Sequence, residues 1–125
     1  MVYYLARLSY HPEMARETFT IEGAGAISLT AEAEGDAYAK PVLLAHGGGQ
    51  TRRAWRRVVS ELAQAGFRAI AFDMRGHGDS DWSPCGAYEM RDFAADLVAA
   101  ASRLDQKPAL VGASLGGLAG LIAAG

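Results

Sequence analysis

Ala109-Leu110-Val111-Gly112-Ala113-Ser114-Leu115-Gly116-Gly117-Leu118-Ala119-Gly120-Leu121-Ile122 is the stretch from which the rest of this sequence is read. From Pro108 to Gly125 there are 18 residues without a charge, enough to weigh as a membrane span. Gly116-x-x-x-Gly120 even has the small-residue spacing of packed membrane helices. The segment opens on proline, holds five glycines and has no aromatic or basic anchor on its far side. A buried strand, a sharp turn and a buried helix describe it better, with no membrane span. Gly112-Ala113-Ser114-Leu115-Gly116 sits at that turn. The two glycines leave room where a side chain would clash, and the serine hydroxyl is presented at the strand end and helix N-terminus.

Moving outward, the same strand-then-glycine arrangement occurs twice more. Val42-Leu43-Leu44-Ala45 is an unbroken apolar run, the pattern of a strand covered on both faces, and His46-Gly47-Gly48-Gly49 follows it. Phe67 to Phe72 is another such strand, followed by Asp73-Met74-Arg75-Gly76-His77-Gly78-Asp79-Ser80. Between them, Trp55, Val58, Val59 and Leu62 recur at helical spacing, with Thr51 as cap and Gly66 as stop. Phe93, Leu97, Ala100, Ala101 and Leu104 mark a second helix, ended before Pro108. Upstream, Phe19 and Ile21, then Ile27, Leu29, Ala31 and Ala33, alternate with polar residues around the turn Gly23-Ala24-Gly25, which predicts an antiparallel hairpin. The whole is an α/β fold: a hairpin followed by βαβαβα with parallel strands, stopping soon after the Ser114 turn. Residues 1–16 have no clear period and are expected to be a loosely held extension, with residues 17–125 as the N-terminal part of a single domain. Met14, just before the patterned region, is an alternative start.

Composition narrows the classes. The chain has 125 residues and a formal charge of −2, with no basic stripe, which argues against nucleic acid as a partner. Val2 to Ala6 is too short for a signal peptide. Cys85 is the only cysteine, so there is no disulfide framework, and a reducing, cytoplasmic location is expected. Of the apolar residues 25 are alanine, so the core is lean; glycine numbers 15, eight of them in the three clusters. Arg52, Arg53, Arg56 and Arg57 read as the solvated start and outer side of a helix, in preference to an anion site.

In an open α/β sheet, ligands bind beyond the carboxyl ends of the strands, where all three clusters fall. A serine attacking a carbonyl generates an oxyanion, which needs backbone N–H groups aimed at it. The unobstructed N–H groups of Gly48 and Gly49, together with that of Leu115 directly after the serine, are the candidate donors. Asp73 is expected to anchor its turn through backbone amides, with Arg75 and His77 as structural members of that turn. Asp73, His77 and Asp79 lack the compact ligand spacing of a zinc site. The reading therefore calls for a small-molecule substrate, no cofactor and no metal, and it carries no signal of oligomeric state.

In their order along the chain, these three motifs resemble the oxyanion loop, structural turn and nucleophile elbow of the α/β-hydrolase superfamily. The similarity runs from about Thr18 to Gly125. It is closest to the branch of esterases, cofactor-free haloperoxidase-like enzymes, carbon–carbon bond hydrolases, epoxide hydrolases and haloalkane dehalogenases. The last two carry an aspartate where this chain has Ser114, which argues against them. The resemblance implies a triad in the chain order serine, acid, histidine and members roughly twice this length. Here 11 residues follow Ser114, none of them Asp, Glu or His, and His11, His46 and His77 all precede it. The expectation is the N-terminal part of a serine hydrolase, inactive by itself; the rival is a short non-catalytic binding or scaffold protein, or decayed coding sequence. An open frame beyond the Gly125 codon encoding an Asp and a late His favours the first, and a stop codon the second.

Overall fold

The computed structural model describes residues 16–125; the expected extension and the alternative start at Met14 lie outside them. The chain forms β1 (Glu17–Glu22), β2 (Ser28–Glu34), β3 (Pro41–Ala45), α1 (Arg56–Gln64), β4 (Arg68–Phe72), α2 (Met90–Ser102), β5 (Ala109–Gly112) and α3 (Leu115–Ala124). Single 3-10 turns at Ala24–Ala26 and Arg52–Trp55 complete the order. The five strands lie in one sheet in the order β1-β2-β4-β3-β5. β1 pairs antiparallel with β2, and β2 with β4, while β3 lies parallel to both β4 and β5.

Strand alternation divides the core in two. Leu43, Ala45, Ile70 and Phe72 face one side, where Phe93, Leu97, Ala100 and Ala119 of α2 and α3 cover them. Val42, Leu44, Ala69 and Ala71 face the other, against Val59, with Trp55, Val58 and Leu62 at its rim. All five residues of β3 are buried, as their unbroken apolar run requires. The first helical segment starts as expected: the Thr51 hydroxyl accepts the Arg53 N–H. α2 begins at Met90, three residues before Phe93, the first residue its periodicity marks. Glu89 and Asp92 form a reciprocal capping box there, satisfying donors the helix cannot satisfy itself.

Two expectations need correction. β5 is not a buried strand: it lies at the sheet edge, and Ala109, Val111 and Gly112 are exposed. On α3 the buried positions are Gly116 and Ala119, whereas Leu118, Leu121 and Ile122 are exposed. An apolar run reports what a strand can cover, but burial needs a neighbour. Among the described residues β5 has one only on its β3 side. Arg52 is the second correction. It is 5% exposed, not part of a solvated helix face.

Candidate active site

The turn after β5 is built by close approach. A Cβ on Gly116 would stand 2.1 Å from the Ala45 carbonyl oxygen, and one on Gly112 would stand 2.4 Å from the Gly116 oxygen. With both positions bare, the Ala113 N–H reaches the Ala45 carbonyl at 3.1 Å, and α3 starts directly over the end of β3. Ser114 takes the strain: its φ of 51° and ψ of −113° are unfavourable for a residue with a side chain. It is exposed at the end of β5, immediately before α3.

The glycine loop after β3 lies beside it. Gly47 to Gln50 closes a turn, with the Gln50 N–H donating to the Gly47 carbonyl at 3.1 Å. Gly49 supplies the positive φ, 78°, that the third position of a type II turn demands. A Cβ on Gly48 would touch the Leu115 side chain at about 4 Å, so the two residues are neighbours across the site. Among the described residues neither the Gly48 nor the Leu115 N–H has a hydrogen-bond partner. Gly49 differs: its N–H donates to His77 Nε2 at 3.0 Å. As a free donor Gly49 is therefore corrected, because its hydrogen is already committed; Gly48 and Leu115 remain.

The 73–80 turn forms the wall behind this loop. Asp73 accepts the Asp79 N–H at 3.0 Å, and it also accepts the Arg52 backbone N–H and the Arg52 guanidinium, at 2.6 and 2.5 Å. The same guanidinium nitrogen donates to Asp79 at 2.9 Å. Arg52 thus sits where a cation would have to sit between those two carboxylates. Arg75 forms a bidentate buried pair with Asp96 of α2, at 2.6 and 2.7 Å. Asp96 in turn accepts the Ala24 N–H at 2.9 Å, which joins the hairpin turn to the wall. The sequence reading missed Arg52 and Asp96. A buried Asp on an otherwise apolar helix face was the available signal for the latter.

Both described histidines are spent on structure. His46 is fully buried; its Nδ1 pairs with the Gly47 carbonyl at 2.7 Å and its Nε2 accepts the Met74 N–H at 2.9 Å. Burial holds its imidazole below the ordinary value, the nearby His77 adds to this, and the Gly47 carbonyl and Asp73 oppose it. The unfolded chain therefore takes up a proton below about pH 6.5 that the folded ring refuses. Above that pH this residue adds no pH dependence, and below it stability falls. Urea midpoints measured between pH 7.5 and 5.5 should drop, and drop less in His46→Gln; equal slopes would overturn the assignment.

Comparison with known proteins bears on the family and the fold. Residues 40–125 match the alpha/beta hydrolase fold family. A non-heme chloroperoxidase of Streptomyces lividans is 37% identical over 78 residues, covering 62% of this chain and 28% of that protein. An epoxide hydrolase of Siraitia grosvenorii is 40% identical over 80 residues, 62% of this chain and 25% of that protein. The crystal structure of an epoxide hydrolase from Vigna radiata superposes with a TM-score of 0.82 at 27% identity, over 91% of this chain and 35% of that one. The matched region thus covers between a quarter and about a third of each of these proteins. Among the described residues no helix is long and apolar enough to cross a membrane.

Proposed function

Since this chain belongs to the alpha/beta hydrolase fold family, we propose that it carries the nucleophile and oxyanion hole of a serine hydrolase acting on ester-like carbonyl compounds. The Ser114 oxygen attacks the carbonyl carbon and its proton passes to a general base. The alcohol leaves with a proton from that base, and water then cleaves the acyl-serine to release the acid. The carbonyl oxygen, negative in the tetrahedral state, lies between the N–H groups of Gly48 and Leu115. The observation that carries this reading is the pair of unpartnered N–H groups on neighbouring residues beside a strained, exposed serine. A serine at that position favours acyl transfer over the epoxide opening named for several relatives, because the resemblance implies an aspartate there for epoxides.

The base and its acidic partner are not supplied by His46 or His77, whose ring nitrogens are all engaged. The 125-residue chain is therefore expected to hydrolyse p-nitrophenyl acetate no faster than its Ser114→Ala variant. The product of the full open reading frame containing this sequence is expected to hydrolyse it, with Ser114→Ala lowering kcat by about 10⁴ or more. Undiminished turnover in that variant would overturn the proposal. A cytoplasmic location belongs to the same reading and rests on Cys85, a free, exposed thiol.

A further inference from the structure

His46 and His77 make the same pair of contacts in opposite directions. His46 belongs to the glycine loop; its Nδ1 bonds the Gly47 carbonyl of that loop, and its Nε2 accepts the Met74 N–H from the 73–80 turn. His77 belongs to the turn; its Nδ1 bonds the Arg75 carbonyl of that turn at 2.9 Å, and its Nε2 accepts the Gly49 N–H from the glycine loop at 3.0 Å. Each ring thus bonds a carbonyl of its own loop and an N–H of the other. An Nε2 that accepts an N–H carries no hydrogen, so both rings hold their proton on Nδ1. The ring centroids are 4.9 Å apart, and the Phe93 ring meets that of His77 at 67° with centroids 6.4 Å apart.

Three consecutive glycines are a poor way to hold a peptide group still, since each visits a wide range of backbone angles. Two neighbouring N–H groups, of Gly48 and Gly49, compete for the site. One has its hydrogen taken by His77; the other does not. We propose that His77 is a positioning residue for the oxyanion hole: by binding the Gly49 N–H it fixes the preceding peptide, so that the Gly48 N–H is the one left beside Leu115. The inference rests on the oxyanion reading above for what is being positioned, though not for the contact itself. His77 touches no reacting atom; it acts through Gly49.

The test uses the ¹⁵N-labelled product of the full open reading frame containing this sequence and needs no turnover. In the wild type, His77 Nε2 should resonate as an unprotonated imidazole nitrogen and show scalar coupling across the hydrogen bond to the Gly49 nitrogen. Absence of both overturns the proposal, whatever the variants do. His77→Leu should speed amide exchange at Gly49 by about tenfold or more and shift the Gly48 and Leu115 resonances, while Ile70 in β4 keeps its protection. His77→Gln, whose side-chain oxygen can accept the same N–H, should restore most of the Gly49 protection. Unchanged Gly49 exchange in a folded His77→Leu, or unmoved Gly48 and Leu115 resonances, overturns it. Because none of these signals depends on acyl transfer at Ser114, failure of the acyl-transfer reading shows in the ester assay alone, and failure of the positioning role shows only here.

Discussion

Gly116→Ala is expected to cost about 3 kcal/mol or more of folding stability, while Gly120→Ala on the same helix leaves stability unchanged or raises it by about 0.5–1 kcal/mol. The added methyl at position 116 would meet the Ala45 oxygen at 2.1 Å and the His46 oxygen at 2.7 Å. Both are backbone atoms at the carboxyl end of β3. β3 is held by β4 on one side and β5 on the other, so it cannot retreat. α3 would have to lift, breaking the bond from the Ala113 N–H to the Ala45 carbonyl. At position 120 nothing stands within 4 Å of the same methyl. There the gain in helix propensity is the only effect. Urea unfolding of the two variants beside the wild type decides it, and matching midpoints would overturn the close-approach argument.

Arg52→Met should destabilise the fold by about 3–5 kcal/mol, the usual cost of removing one partner from a buried ion pair. Asp73 is fully buried and faces the Arg52 guanidinium at 2.5 Å. Glu32, itself 6% exposed, lies 3.5 Å from the same guanidinium. Methionine fills a similar volume but leaves the Asp73 carboxylate with only the backbone N–H groups of residue 52 and Asp79. Adding Asp73→Asn to Arg52→Met should recover a substantial part of the loss, because the orphaned charge is then gone. A double variant no more stable than Arg52→Met would show that packing around residue 52, not its charge, sets the cost. A matching arrangement holds at Arg75 and Asp96, where the bidentate pair joins the turn to α2.

These predictions turn on features that differ in how they could be read in advance. The bare positions at 112 and 116 were legible, because a strand-to-helix turn constrains residues within a few positions of one another. So was β3, whose two-sided burial is a property of consecutive side chains. Arg52 was misread because the helical pattern of 55, 58, 59 and 62 does not extend to it. It sits in a 3-10 turn before α1, and its partner is 21 residues away. β5 and α3 were misread for the opposite reason. Their apolar character was correct, but no described element lies against the outer side of β5.

Gly48 and Gly49 mark the limit most clearly. They are chemically identical neighbours, and nothing along the chain distinguishes their N–H groups as oxyanion donors. The glycine spacing, the alternation of apolar residues and the order of the three motifs determined the fold and brought Ser114 to the carboxyl end of β5, because those are short-range relations between residues. Which N–H stays free, which arginine is buried and which apolar faces are left open were decided only by tertiary structure. Each depends on an atom brought close in space from elsewhere in the chain, His77 Nε2 for Gly49 and the Asp73 carboxylate for Arg52, or on whether a described element lies against the outer side of β5.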